Sequence, residues 1–460
     1  MVKSEIKYLL IILAVGVLLR APLLGTPFWR TGDAVDYINV GRNLLSGDGL
    51  VTSVKSAFYN DNPVITSALA SRPIGMSLIA AGILSINENL YCLQLFSLMI
   101  GILDPVVFYL LARRYVSPKV SLLGSLLLAI NPNILISNRL FISEPVFILF
   151  IMLGLLGQKF WRGIFFGMAY LIRFEGIFLP IIFLNWETLL AFCAVVMPYW
   201  VGNFMVNGNP FYSYNFVHFQ VKQFQEYFAD GYGKTFPPAW KFISENFFWV
   251  GRAVGETTLK HLESFLKFDG LGLLGILGFF GIRKNFAKFK QIMIFCFTSF
   301  MVYSVMWSAI FERARHFIPI YFLLMIPVLV FIDSHQKSVL VRRVLLVVAI
   351  IYLVFDLHRI AWARNVDTKI DNWSPAQKGQ LYRWLKNNTS RQEIVAGVDP
   401  MLLNLFVDRP AILLPKNNID RFIDQYKVKY VLVDDSRRVS EFENRFRLVM
   451  ETDGVKVYEN

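Results

Sequence analysis

The stretch GDAVDYINVGRNLLSGDGL, residues 32–50, follows directly after the first long apolar segment of the chain, residues 6–24. Its apolar residues recur every three to four positions, which predicts an amphipathic helix lying on a membrane surface. We expect this helix to begin with Asp33 as its N-cap and to end before Gly47 in the C′ position. Two carboxylates, those of Asp33 and Asp36, therefore lie where the chain first leaves an apolar segment.

The composition of the whole chain is that of a membrane protein. Of its 460 residues, 55% are hydrophobic and 15% are aromatic, and the mean hydropathy is +0.48. This is too apolar for a soluble globular protein of this length. Apolar segments of roughly 20 residues predict about eleven transmembrane helices. One further apolar segment, residues 73–86, is short and fits an interfacial or re-entrant helix better than a span.

The net charge of +13 indicates orientation in a membrane rather than binding to nucleic acid. Much of the excess Lys and Arg lies in predicted short loops between apolar segments, for example within residues 283–290. The positive-inside rule places these loops and the N-terminus in the cytoplasm, so that residues 25–90 and the C-terminal tail are extracytoplasmic. The three cysteines are isolated within apolar runs, which predicts neither a disulfide framework nor a zinc site.

The tail differs in composition from the rest of the chain. From about residue 375 it is charged and mixed, and SPAQKGQLYRWLKNN predicts a helix opened by Ser374 and Pro375. The segment YVLVDD predicts a buried strand, and FRLVMETDGVKVYEN predicts a hairpin around an Asp-Gly turn. The tail is therefore expected to form a small α/β domain outside the membrane.

These patterns predict a mainly α fold, a polytopic transmembrane helix bundle with a C-terminal α/β domain. The bundle is expected to span residues 1–357, and its first extracytoplasmic loop, residues 25–90, contains the juxtamembrane helices. The α/β domain is expected to span residues 358–460. The sequence contains no internal repeat.

Ionisable residues flank the apolar segments at five places on the predicted outer face. An ionisable group costs about 2.5–3.5 kcal/mol at the centre of a bilayer. Capping, snorkelling or local pairing explains any one of the five places, but five on one face indicate a shared polar cavity. The residues are Asp33 and Asp36; Arg72 in SRP; Arg139 and Glu144 in SNRLFISEP; Arg173 and Glu175 in LIRFEG; and Glu312, Arg313, Arg315 and His316 in FERARHF.

Carboxylates and arginines beside lipid favour a ligand that contains phosphate. The planar guanidinium matches phosphate oxygens, and a carboxylate can take a proton from a hydroxyl group or bind a divalent cation. Such groups fit the transfer of a chemical group from a lipid phosphate to an acceptor alcohol. Two other classes remain open: a secondary transporter, which would favour internal repeats, and a non-catalytic lipid-binding membrane subunit.

The order of the motifs resembles that of the GT-C superfamily of integral-membrane glycosyltransferases, in particular the branch of protein O-mannosyltransferases and lipid A aminoarabinose transferases. The order is a first span, GDAVDYINVGRNLLSGDGL, SRPIGMSLIAAGIL, an outward SEP, IRFEGIFLP, NGNPF and the tail. The resemblance implies a cell-membrane enzyme that uses a polyprenyl-phosphate-linked sugar as donor. It also implies inversion of the anomeric centre and a glycan, lipid or protein as acceptor.

The resemblance further implies roles for individual residues. Asp33 matches the catalytic aspartate of the first loop, which serves as general base or binds the acceptor. Arg72 stands where the family often has Lys-Pro-Pro, a contact to the lipid phosphate, although this chain has SRPIG. Glu144 matches an acid of the second loop that is more often aspartate. Arg313 or Arg315 falls where relatives have an arginine for the donor phosphate. The residue pattern itself adds further candidates: Asp36, with Glu144, for the acceptor or for a divalent cation such as Mg or Mn; and Tyr37, Arg139, Arg173, Glu175 and His316.

Overall fold

The computed structural model describes residues 3–29, 31–58, 62–213, 232, 239–266, 273–306, 314–365, 373, 375–434, 446–452 and 454–460. The α-helices in these residues are α1 Lys3–Arg20, α2 Gly32–Leu45, α3 Gly75–Ile86, α4 Tyr91–Ala112, α5 Pro118–Ala129, α6 Pro132–Asn138, α7 Ser143–Leu156, α8 Lys159–Ile172, α9 Phe178–Ile182, α10 Trp186–Asn207, α11 Ala239–Glu245, α12 Phe247–Leu266, α13 Leu273–Met306, α14 Ile318–Ser334, α15 Val339–Asn365, α16 Pro375–Asn388, α17 Pro400–Val407 and α18 Ile419–Tyr426. The strands are β1 Val51–Thr52, β2 Val54–Lys55, β3 Thr66–Ser67, β4 Ile394–Gly397, β5 Ala411–Leu413, β6 Val428–Asp434, β7 Arg447–Thr452 and β8 Val455–Glu459.

The protein is a multi-pass membrane protein built mainly of helices, as predicted. By length and composition, 4 helices in the described ranges can cross a membrane. The number is 5 if α5 and α6, between which the chain bends by 57°, form one span. The 4 helices are Ser4–Leu23, Tyr91–Ala112, Trp186–Asn207 and Arg315–Ser334. Shorter apolar helices include α3 and α7.

Helix α13 corrects one expectation about the loops. It runs without a break for 34 residues, and residues 283–290, which were predicted to be a basic loop, lie inside it. Lys and Arg are good helix formers, so a basic run does not by itself end a helix.

Helix α2 forms where the apolar periodicity predicts it, but it begins differently. Its N-cap is Thr31, and Asp33 lies in the first turn, so the prediction that Asp33 is the N-cap is wrong. A carboxylate in the first turn still interacts favourably with the positive end of the helix dipole. At the other end Gly47 follows the C-cap residue Ser46 with φ +85°, which confirms its C′ position.

The chain folds into two compact units. The first contains Met1–Phe28, Asn89–Tyr212 and Trp249–Asp367, and the second contains Trp29–Glu88, Ser213–Phe248 and Thr368–Asn460. In the first unit α13 packs on α14, and α8 packs on both α7 and α10. Its helix α15 extends to Asn365, beyond the boundary expected after residue 357.

The second unit is built around a six-stranded sheet with the strand order β2-β5-β4-β6-β8-β7. The first four strands are parallel, and β6, β8 and β7 pair in antiparallel fashion. The predicted strand β6 and the predicted hairpin β7–β8 are both present. Strand β2, however, comes from the segment after α2, so a part of the chain predicted to be a loop completes the sheet of the C-terminal tail.

The sheet is covered on both faces because its central strands are apolar at successive positions. Val431 and Ile412 belong to one buried cluster, whereas their neighbours Leu432 and Ala411 belong to another. Successive side chains of a strand point to opposite faces, so each cluster forms the core on one side. Helix α17 contributes Leu403 to the second cluster.

Candidate active site

Arg72 binds both carboxylates of α2. Its Nη1 lies 2.8 Å from Asp33 Oδ1, and its Nε donates to Asp36 Oδ2 at 2.8 Å. Residues three positions apart lie on one side of a helix, so one planar guanidinium can reach both carboxylates. The Arg72 guanidinium also lies 5.8 Å from the centroid of the Tyr37 ring. We call Asp33, Asp36, Tyr37 and Arg72 the loop cluster.

The packing of α2 on α3 positions Arg72. Arg72 precedes α3 by three residues, so its place depends on that of the helix. A Cβ atom on Gly41 of α2 would lie 3.0 Å from the Cβ of Ala80 and 3.0 Å from the backbone nitrogen of Ala81. The two helices can approach this closely only because residue 41 has no side chain.

The charges of the loop cluster interact strongly and remain partly accessible. The Arg72 side chain is 34% exposed, against 15% for Asp33 and 23% for Asp36. Burial raises the pKa of Asp36 above its ordinary value, and the nearby Arg72 guanidinium only partly opposes this effect. Burial alone would lower the pKa of Arg72, but the carboxylates of Asp33 and Asp36 raise this pKa above its ordinary value. Arg72 is therefore a permanent cation facing two acids.

A second group of ionisable residues surrounds Glu144 in the first unit. The Glu144 side chain is fully buried at the start of α7, and its Oε1 lies 3.1 Å from Arg173 Nη1. The same oxygen lies 3.2 Å from His316 Nδ1 and 3.6 Å from Arg315 Nε. Removing one member of a buried ion pair costs about 3–5 kcal/mol, so these contacts hold the ends of several helices together.

Arg173 connects Glu144 to further polar groups. Its Nη2 lies 2.9 Å from Glu175 Oε1, and its Nη1 donates to Ser143 Oγ at 3.0 Å. The Tyr303 ring stacks on the ring of His316 with 5.7 Å between centroids. Sequence reasoning missed Ser143 and Tyr303, because a single Ser or Tyr beside an apolar run has no distinguishing pattern. We call Glu144, Arg173, Glu175, Arg315 and His316 the bundle cluster.

Three predicted site residues are in neither cluster as the structure describes them. The Arg139 guanidinium lies 5.9 Å from the centroid of the Trp362 ring. Glu312 and Arg313 lie outside the described residues, so the choice between Arg313 and Arg315 for the donor phosphate stays a prediction. The other predicted residues fall into the loop cluster or the bundle cluster.

The carboxylates predicted as candidate cation ligands contact arginines. Asp36 binds Arg72, and Glu144 binds Arg173. Over the described ranges, no three His, Cys, Asp or Glu side chains form a group suited to a metal ion.

The fold, which combines long apolar helices with a small sheet-containing unit, is similar to the folds of solved structures of other proteins. No protein-family model and no curated protein sequence matches the chain. The fold is therefore recognised from solved structures.

Two similar structures are crystal structures of ArnT from Cupriavidus metallidurans. The apo state has a TM-score of 0.62 at 12% sequence identity and covers 99% of this chain and 98% of that chain. The state bound to undecaprenyl phosphate has a TM-score of 0.61 at 12% identity, with 98% and 97% covered. The oligosaccharyltransferase of Archaeoglobus fulgidus, tethered with an acceptor peptide, has a TM-score of 0.56 at 13% identity, covering 94% of this chain and 69% of that one. At these identities the likeness concerns the fold.

Proposed function

We propose that the protein is a glycosyltransferase that moves a sugar from a polyprenyl-phosphate-linked donor to a hydroxyl group of a lipid, glycan or protein acceptor on the extracytoplasmic face, with inversion. The observation that carries the proposal is the loop cluster, in which one arginine and two carboxylates meet at the start of α2. The fold supports it, because the ArnT structure of the same fold binds undecaprenyl phosphate.

In the proposed reaction Asp33 takes the proton of the acceptor hydroxyl as its oxygen attacks the anomeric carbon of the sugar. The bond between that carbon and the phosphate oxygen breaks, and its electron pair remains on the polyprenyl phosphate. Arg72 stabilises the negative charge that develops on this leaving group. A guanidinium has five N–H donors in a planar fork, so Arg72 can bind two carboxylates and still donate to a phosphate oxygen.

The test is the release of free polyprenyl phosphate from a panel of polyprenyl-monophosphate sugars by purified protein in detergent, with a panel of candidate acceptor alcohols and, separately, with water as the acceptor. We expect wild-type protein to release it with one donor sugar, and Asp33→Asn to reduce the rate by about 10²- to 10⁴-fold, the contribution typical of a general base. The matched control is Asp48→Asn. Asp48 is an exposed acid three residues after the end of α2, and its replacement is expected to leave the rate unchanged.

Two results would contradict the proposal. Near-normal turnover by folded Asp33→Asn protein would remove Asp33 from the mechanism. Absence of release with every donor, with and without a panel of candidate acceptors, by folded protein that still binds the lipid would instead favour a non-catalytic lipid-binding subunit.

A further inference from the structure

We infer that the C-terminal part of the second unit positions the carboxylates of α2 through a buried amide network centred on Asn39 and Asn404, so that Asn404 is a positioning residue for the reaction. This inference rests on the proposed function. It concerns how Asp33 and Asp36 are held, and it assigns a catalytic purpose to the tail.

The network satisfies two amide side chains that are almost completely buried. Asn39 Nδ2 donates to Asn404 Oδ1 at 2.9 Å and to Ser53 Oγ at 2.6 Å. Asn39 Oδ1 accepts from the backbone nitrogen of Ser53 at 2.9 Å. Asn404 Nδ2 in turn donates to the backbone oxygen of Arg409 at 2.8 Å. Asn39 and Asn404 are each 1% exposed, so these hydrogen bonds form away from water.

The residues of α2 that meet the tail lie on one face of the helix. Gly32 and Asn39 are seven positions apart, the spacing of a single helical face. A Cβ atom on Gly32 would lie 2.7 Å from the sulfur of Met401 on α17. Beside this face, Arg42 Nη1 donates to the backbone oxygen of Leu405 at 2.8 Å. Helix α17 therefore holds α2 along most of its length.

The carboxylates lie close to the network along the same rigid element. Asp36 and Asp33 precede Asn39 by three and six residues, which corresponds to about 4.5 Å and 9 Å along a helix. Any rotation of α2 about its axis would break the bonds of Asn39 and move both carboxylates. The network thus sets the direction in which Asp33 and Asp36 project.

A polar network suits this task better than an apolar contact would. Apolar side chains tolerate small slides, whereas a buried amide that loses its hydrogen-bond partner is left as an unsatisfied polar group, which is unfavourable. A fully satisfied network therefore specifies one arrangement of the elements that it joins. For a reacting group, a displacement of about 1 Å can reduce the rate by about 10²-fold.

The experiment compares Asn39→Ala, Asn404→Ala and the double variant with Asn388→Ala. Asn388 is an exposed asparagine on α16 of the same unit and is the matched control. We measure kcat, the donor KM, the thermal midpoint and hydrogen exchange of the α2 amides. We expect each network variant to lower kcat by about 10- to 100-fold with a donor KM close to that of wild type, and to increase exchange near Asp33 and Asp36. Asn388→Ala should change none of these quantities.

The double variant tests whether the two asparagines act through one contact. Contacting residues are non-additive, so the double variant should be no slower than the slower single variant. Multiplicative losses in kcat, or unchanged kcat in folded Asn404→Ala protein, would overturn the inference. If Asn404→Ala does not fold, Asn404→Ser, which keeps a smaller hydrogen-bonding group, replaces it under the same criteria.

Hydrogen exchange separates failure of this inference from failure of the proposed function. Wild-type protein that releases no polyprenyl phosphate from any donor would overturn the proposed function. In that case faster exchange of α2 in the Asn404 variant would still support the anchoring of α2 by the tail, and unchanged exchange would overturn it.

Discussion

At the scale of single residues, the contacts of Arg72 depend on the geometry of the guanidinium as well as on its charge. Two of its nitrogen atoms reach two different carboxylates, each at 2.8 Å. A lysine ammonium has the same charge but lacks the planar fork. We therefore expect Arg72→Lys to remain folded, to lose one of the two contacts and to bind the donor more weakly.

We expect the Arg72→Lys substitution to raise the donor KM by about 10- to 100-fold, the equivalent of the 1.5–3 kcal/mol that a hydrogen bond to a charged group contributes. The measurement is steady-state release of polyprenyl phosphate across a range of donor concentrations. An unchanged donor KM would show that Arg72 serves the carboxylates alone and does not contact the donor phosphate.

Asp36 gives the folded protein a pH dependence whose sign follows from its raised pKa. Between the ordinary pKa and the raised pKa, the folded state holds more protons than the unfolded state, so the contribution of this group to stability falls as pH rises. Asp36→Asn removes this dependence. The difference in thermal midpoint, variant minus wild type, should increase from about pH 4 upward, since pH 4 is near the ordinary pKa of aspartate. A difference that decreases with rising pH would contradict the assignment.

Sequence reasoning identified the residues of both clusters but not their contacts. Ionisable groups beside apolar runs are conspicuous because of their energetic cost, which is why Asp33, Arg72 and Glu144 could be singled out. The pairing of Arg72 with Asp33 and Asp36 depends on how α2 packs on α3, and residue spacing contains no information about that packing. Asn39 and Asn404 were missed because a buried amide and an exposed amide look alike in a sequence.

At the scale of elements, the close contact between α2 and α3 requires a glycine at position 41, because glycine has no side chain. A Cβ atom at Gly41 would lie 3.0 Å from the Ala81 backbone nitrogen and 3.1 Å from the Ser77 backbone oxygen, and backbone atoms cannot turn away. Gly82 on α3 has no heavy atom within 4 Å of such a Cβ atom. The two glycines therefore form a matched pair.

We expect Gly41→Leu to destabilise the protein by about 1–3 kcal/mol, as overpacking typically does, and to reduce transfer because Arg72 moves with α3. Gly82→Leu should be neutral or slightly stabilising, because leucine is a far better helix former than glycine. Thermal unfolding in detergent measures both effects. Equal midpoints for the two variants would show that the α2–α3 contact is not close-packed.

The elements that the local sequence pattern could predict are helices with several helical turns and segments with a distinctive tight-turn sequence. The extent of α2, the C′ position of Gly47 and the β7–β8 hairpin follow from local pattern alone. Strand β2 has two residues, which are too few to show an alternation. Its place in the sheet also depends on a partner strand more than 350 positions away in the sequence, since the backbone nitrogen of Ala411 donates to the Ser53 carbonyl. The N-cap of α2 was predicted wrongly because Thr31 and Asp33, on either side of the first helical residue, are both residue types that commonly cap a helix. The local pattern does not distinguish between them.

At the scale of the whole molecule, the tail does not form its sheet alone. Strand β2 pairs with β5 through Val54 and Ala411, and α2 buries Asn404. We therefore expect an isolated fragment of residues 368–460 to unfold at a lower temperature and less cooperatively than the same fragment linked to residues 29–88. Circular dichroism melting of the two fragments tests this. Identical melting curves would show that the tail is an independent domain.

The contact between Asn39 and Asn404 joins positions 365 residues apart, and this has a consequence for biosynthesis. Ribosomes add about 5–20 residues per second, so α2 leaves the ribosome about 20–70 s before its partner helix exists. During that interval the membrane segments insert while the carboxylates of α2 lack the support that orients them. Under the proposed function, the protein would thus become active only after residue 404 has been synthesised, and chains that terminate before this residue would not consume donor.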